Sequence, residues 1–165
     1  MKTKIKNVSK NPRIKGFSKE TSTISNPGIF KADDRQKLKG QIEIEQNRLE
    51  RFPNRTLVRK YNVEFTTPEF TCLCPKTGFP DFATLHIRYI PDKWCVELKS
   101  LKLYINSYRD KHVFHEDVVN VILDEMVSLL DPHEIEVVGD FNVRGNIKTV
   151  IRANHQKPVK KNSLN

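Results

Sequence analysis

The sequence predicts an α+β domain of four antiparallel strands with two helices packed on one face, in the order strand, strand, helix, helix, strand, strand. Three observations carry that reading. Residues alternate with the period of a strand toward both ends of the central region, they recur with the period of a helix in its middle, and turn residues stand at the joins.

QIEIEQNRLERF, residues 41–52, opens the region with a short helical pattern that Pro53 and Asn54 end. Residues 56–66 alternate as a first strand. In residues 82–90, Ala83, Leu85, Ile87 and Tyr89 fall on one face and Thr84, His86 and Arg88 on the other, so a second strand pairs antiparallel with the first. After the Pro91-Asp92 turn, residues 97–108 (ELKSLKLYINSY) carry Leu98, Leu101, Ile105 and Tyr108 at helical offsets of 0, 3, 7 and 10. Residues 115–130 form a second helix with Val118, Val119, Ile122, Met126, Leu129 and Leu130 inward, and Asp131-Pro132 stops it. Residues 134–143 and 147–154 then resume strand character around Gly145-Asn146.

Helices on one face leave the other bare. Adjacent apolar strand residues, Leu57 with Val58 and Val137 with Val138, must point to opposite faces, so the bare side is expected to carry apolar groups that other copies of the chain cover.

Charge is unevenly placed. The chain has 165 residues and a formal charge of +9, but residues 1–40 hold eleven Lys and Arg against three acids, while 41–151 hold fourteen against seventeen. The reading is a basic N-terminal extension over 1–40, a folded domain over 41–154 and a basic tail over 155–165. Few aromatic residues interleave with the basic ones, so no direct nucleic-acid partner is expected. No apolar run approaches a membrane span and the N-terminus lacks a secretory apolar region, so the expectation is a cytoplasmic protein with no membrane partner. Three cysteines, Cys72, Cys74 and Cys95, fit free thiols in a reducing compartment.

The chemistry concentrates in TCLCPKTGFPDFA, residues 71–83. Cys74 precedes Asp81 by seven residues across a stretch broken by Pro75, Gly78 and Pro80, so the chain can reverse and set a thiol beside a carboxylate, the pairing of a nucleophile and its proton partner. By spacing alone, a buried and inert cysteine fits the same pattern. Ionisable groups also crowd both helix entrances: Glu97, Lys99, Ser100 and Lys102 at the first, His115, Glu116 and Asp117 at the second. Acids there complement the helix dipole, and lysines on one helix face are commonly solvated, so each signal alone is weak.

Together, FTCLCPKTGFPDFA, VELKSLKLYINSYRD and FHEDVVN, in that order, strongly resemble the NADPH-dependent 7-cyano-7-deazaguanine reductases of queuosine biosynthesis, the nitrile reductases of tRNA modification, in their short single-module form. ELKSLK fits that family's signature of Glu, a variable residue, Lys, a small residue, a hydrophobe and Lys. The resemblance spans roughly residues 50–155. It implies the tunnelling fold (T-fold), the same strand and helix order derived above, and a homo-oligomer of two stacked five-membered rings with active sites at subunit boundaries.

The implied reaction takes 7-cyano-7-deazaguanine to 7-aminomethyl-7-deazaguanine with two NADPH per turnover and no metal. Cys74 is the implied nucleophile, adding to the nitrile to form a thioimidate; Asp81 carries protons; His115 orients or protonates the intermediate. Glu116 is the expected acceptor for the two parallel donors of the guanine-like edge, with Glu97 a second acceptor and Ser100 and His115 also at the substrate. Lys99, Ser100 and Lys102 are expected to meet NADPH. Cys72 is read as structural and Cys95, beside Trp94, as core. A zinc-dependent pterin or cyclohydrolase enzyme of the same fold is the alternative. Cys72-x-Cys74 with His115 lacks the usual zinc-ligand spacing and an evident fourth ligand.

Overall fold

The alternation read in residues 82–90 is realised residue by residue. The structure, a computed structural model, describes residues 37–158. Its elements are α1 (Lys39–Gln46), β1 (Arg51–Pro53), β2 (Val63–Leu73), β3 (Pro80–Ile90), β4 (Trp94–Val96), α2 (Leu98–Asn106), α3 (His115–Leu130), β5 (Glu134–Arg144) and β6 (Ile147–Gln156), with a 3-10 turn at Ser107–Asp110 after α2. Strands β2, β3, β5 and β6 form a four-stranded sheet in that order, every neighbour antiparallel. The expected α+β order is met, with α1 and a small β1·β4 sheet added before and within it.

One sheet face and the two longer helices share one core. Phe70, Cys72, Ala83, Leu85, Ile87, Tyr89, Ile135, Val137 and Phe141 of the strands pack against Leu101, Tyr104, Ile105, Val118, Val119, Ile122, Met126 and Leu130 of the helices. Among the described residues no helix is long and apolar enough to cross a membrane.

Four expectations are corrected. The first strand begins at Val63, not Thr56; Leu57 and Val58 lie in the preceding loop, 67% and 90% exposed, so they do not mark the bare sheet face. The strand runs on through Pro68 because a bulge takes up the proline, which has no N–H to give a ladder. The helical pattern at 41–52 closes at Gln46, and Arg51–Pro53 pairs with β4 instead, where the Arg51 guanidinium lies 4.3 Å above the Trp94 ring. Leu98 is the first residue of α2 and is exposed, while Tyr104 takes its place in the buried stripe; the 3-10 turn brings Tyr108 beneath Tyr104, with their hydroxyls 2.8 Å apart. In α3, Leu123 is buried where Leu129 is only partly so.

The bare sheet face is largely charged. Glu64 stands opposite Arg88 and Arg88 opposite Glu136, with His86, Asp140 and Arg152 beside them and Val138 and Val150 as the apolar members, around a shallow hollow of about 370 Å³. Opposite charges on neighbouring strands suit a solvated surface.

The extension over 1–40 lies outside the described residues except for its last four, of which Lys39 and Gly40 open α1. The boundary placed at 154 falls inside β6; just beyond that strand, Lys157 bonds Asp92 (2.8 Å) and Asp131 (2.5 Å).

Helix α3 lies unusually near the sheet at Gly139. A Cβ there would stand 2.7 Å from Val119 Cγ2 and 2.8 Å from Phe141 Cε2, inside a packed interior. Gly139→Ala is therefore expected to lower the unfolding free energy by about 1–3 kcal/mol in urea titration; an unchanged midpoint would show that α3 can move away freely.

Candidate active site

Where the side chains of the site point is decided by two bulges. Between Thr67 and Phe70 two residues of β2, Pro68 and Glu69, face one of β3, Thr84, which reverses which positions turn inward. Val63, Phe65 and Thr67 are half-buried before it; after it Phe70 and Cys72 are buried, and Cys74 follows on the same parity. Cys74 N–H donates to Phe79 O (2.9 Å) and Gly78 N–H to Cys74 O (2.8 Å), closing a turn in which Gly78 takes a φ of +72°. The turn delivers Asp81 directly opposite Cys72.

The second bulge lies in β5. Phe141 pairs with Thr149 and Arg144 with Ile147, so two residues of β5, Asn142 and Val143, face Lys148 alone. Strict alternation from the buried Phe141 would put Arg144 on the bare face; the extra residue brings it to the side of Asp81.

Asp81 is 5% exposed, and its carboxylate is held from two directions. Arg144 Nη1 is 2.9 Å from Oδ1 and also donates to Pro80 O at 2.8 Å; His115 Nε2 is 3.2 Å from Oδ2. A buried carboxylate without partners is costly, so these two contacts are what allow it there. His115 is the first residue of α3, and its ring stacks on Phe141 with centroids 3.7 Å apart and planes 10° from parallel.

The two neighbouring thiols are driven in opposite directions. The Thr77 hydroxyl, with the backbone N–H groups of Lys76 and Thr77, holds the Cys74 thiol below the usual cysteine range, against opposing pushes from desolvation and, after it, the Asp81 charge. Burial, then the charge of Asp81, pushes Cys72 up to about 11, so Cys72 stays a thiol at neutral pH. Cys95 is buried, and all three cysteines are free.

Cys74, Asp81, His115 and Glu116 thus line one cavity of about 200 Å³, together with Pro75, Phe114 and Arg144. Glu97, Lys99, Ser100 and Lys102 line no part of it. Glu97 caps α2: its carboxylate accepts from Lys99 N–H (2.9 Å) and Ser100 N–H (2.7 Å), bonds that hold it below the ordinary carboxylate range. Ser100 is 3% exposed and its hydroxyl is committed on both sides, donating to Glu97 O (2.8 Å) and accepting from Glu50 N–H (3.0 Å). It ties the segment before β1 to α2. Lys99 and Lys102 are exposed. Among the described residues no three His, Cys, Asp or Glu side chains cluster as metal ligands.

Sequence reasoning missed Arg144, Phe141 and Thr77. Arg144 precedes the Gly145-Asn146 turn, whose residues both have positive φ, and that turn was a signal for a hairpin tip but not for where the arginine points.

A relative from Acaryochloris marina is 55% identical over 118 residues, covering 72% of this chain and 82% of its own. It is named NADPH-dependent 7-cyano-7-deazaguanine reductase. The chain belongs to that family. Members from Aquifex aeolicus (54% identical, 72% of this chain and 92% of the relative) and Trichodesmium erythraeum (48%, 81% and 95%) bear the same name. A family profile described as QueF-like protein matches residues 80–160, which include Asp81, His115, Glu116 and Arg144. The crystal structure of the archaeosine synthase QueF-Like in the apo form aligns with a TM-score of 0.54 at 19% identity over 59% of this chain and 95% of the other, a likeness of fold. The T-fold arrangement expected from the sequence is the one present.

In this family member the environment of Cys74 makes a testable statement about its acidity. Alkylation requires the thiolate, so a lowered pKa moves the rise in rate to lower pH. Iodoacetamide labelling of the Cys74 peptide, followed by mass spectrometry, should turn up below the value of about 8.5 for a free cysteine. Thr77→Val should move that inflection to higher pH. A wild-type inflection at or above the free value would contradict the assignment.

Proposed function

We propose that the protein reduces the nitrile of 7-cyano-7-deazaguanine to the aminomethyl group with NADPH as reductant, by way of a thioimidate on Cys74. One observation carries the reading beyond the family name: a thiol of lowered pKa shares a cavity with a buried, doubly held carboxylate and with Glu116.

The Cys74 sulfur bonds to the nitrile carbon while its proton passes to Asp81, and Asp81 returns a proton to the nitrile nitrogen, so S–H adds across the triple bond. His115, fixed by Phe141 and by Asp81, orients the carboxylate and donates to nitrogen as charge develops there. Glu116, at the second position of α3, accepts the two parallel N–H donors of the pyrimidine edge as a forked pair. NADPH, when bound, supplies two hydrides, one to the thioimidate carbon and one to the imine that remains once Cys74 has left. Lys99 and Lys102 fit its phosphates, being exposed cations without an ion pair among the described residues. The amides at the start of α2 are taken by Glu97.

A cavity of about 200 Å³ falls below the roughly 300–1,000 Å³ of ligand sites, so a single chain supplies only part of this one. We read the protein as a homo-oligomer in which a neighbouring copy brings its α2 entrance, with Glu97, Lys99 and Lys102, to the cavity mouth. Exposed Phe79, Phe114, Val143 and Ile147 near the cavity, and the outer positions of β2 and β6 in the sheet, support such a boundary. Two rings of five is the form the family resemblance implies. The free cysteines support a cytoplasmic location.

Supplied with the nitrile, the protein should oxidise two equivalents of NADPH per aminomethyl product, and Cys74→Ala should oxidise none. Asp81→Asn should still bind the nitrile but react roughly 10²- to 10⁴-fold more slowly. Turnover by Cys74→Ala would remove the covalent route, and a wild-type rate for Asp81→Asn would remove Asp81 from proton transfer.

A further inference from the structure

Arg144 is the only cation among the described residues with a recorded ion pair to a member of the Cys74 cavity other than His115, and nothing in the reaction outlined above uses it. Its position is built. The β5 bulge turns it from the bare face toward Asp81, the positive-φ pair Gly145 and Asn146 folds the hairpin immediately after it, and its Nη1 contacts both Asp81 Oδ1 (2.9 Å) and Pro80 O (2.8 Å). The group it grips is faced by Cys72 from β2, Cys74 from the turn, and His115 and Glu116 from α3. Of these, Cys74 and Glu116 are acidic side chains, so Asp81 shares its cavity with other acids while Arg144 brings a guanidinium to it.

We infer that Arg144 is a positioning residue for the reaction: its guanidinium aims the Asp81 carboxylate at Cys74 and offsets the carboxylate's charge in the resting site, before the Cys74 proton reaches it. This rests on the nitrile-reductase reading for its second readout only. Without Arg144, the Asp81 charge bears on Cys74 uncompensated and opposes the thiolate. The carboxylate also loses its tie to the β3 start, leaving His115 as the single group that orients it. A lysine keeps the charge but not the rigid planar guanidinium whose one nitrogen, Nη1, reaches both Asp81 and Pro80.

The test uses the full chain with Arg144→Gln and Arg144→Lys, with thermal melts recorded for each. The first readout needs no nitrile: iodoacetamide labelling of Cys74 across pH. Arg144→Gln should shift the inflection to higher pH, and Arg144→Lys should return it close to wild type. The second is the rate of adduct formation at saturating nitrile, which should fall about 10- to 100-fold in Arg144→Gln and roughly fivefold in Arg144→Lys, with nitrile affinity changing far less. Wild-type labelling profiles and adduct rates in both variants overturn the inference. So does a lowered melting temperature with labelling unchanged, which is what a merely structural arginine gives. If Arg144→Gln does not fold, Arg144→Lys decides: a slowed adduct step supports the inference and a wild-type rate overturns it. A wild-type protein that forms no adduct at all sinks the nitrile reading, while the labelling arm still decides the role of Arg144.

Discussion

A carboxylate inside the protein is the constraint on which the rest depends. Asp81 sits 5% exposed at the start of β3, and a charge in that place is tolerated only if partners reach it. His115 comes from the first turn of α3 and Arg144 from the end of β5, so the pairing fixes how the helix enters and where the β5–β6 hairpin ends. Gly139 lets α3 approach the sheet, and Phe141, two residues on, supplies the ring on which His115 lies. Core packing and site geometry are in this sense one arrangement, because the residue that sets the helix distance also touches the residue that sets the imidazole.

Direction in this sheet is governed by parity, and parity is changed twice. A strand obeying strict alternation from Val63 would turn Cys72 and Cys74 outward, and one obeying it from Phe141 would do the same with Arg144. Each strand contains one extra residue, in β2 near Pro68 and in β5 near Asn142 and Val143. Each bulge costs local ladder bonds, and each returns a functional side chain to the face where Asp81 lies. Away from the bulges, plain alternation leaves the opposite face to Glu64, Arg88, Glu136 and Arg152, charges that water solvates well.

Much of this was legible in the residues. The alternation of Ala83, Leu85, Ile87 and Tyr89 is read correctly because β3 is regular and has the core on one side only, and the α3 stripe is readable for the same reason. Cys74, Asp81, His115 and Glu116 come together as their motifs suggest, since a short turn and a helix start are local features. Arg144 was not legible, because a bulge is a relation between two strands and leaves no mark on one strand's periodicity. The partners of Ser100 were not legible for a similar reason: a serine near a helix start looks available, whereas its hydroxyl donates to Glu97 O and accepts from Glu50 N–H, one near and one distant in sequence. The exposed Leu57 and Val58 imitate a strand because loops also contain apolar residues.

The two thiols two residues apart show how position decides chemistry. Cys72 is sealed beneath the sheet beside Asp81 and remains protonated; Cys74, one turn position later, meets N–H and hydroxyl donors that favour its anion. The account therefore assigns the bond to carbon to one of them alone. The most direct test is to mix the protein with 7-cyano-7-deazaguanine in the absence of NADPH and map the added mass by peptide mass spectrometry. A single adduct on the peptide, localised by fragmentation to Cys74 and absent from Cys72 and Cys95, is the expected result. An adduct on either other cysteine, or none on Cys74 with the nitrile bound, would contradict it.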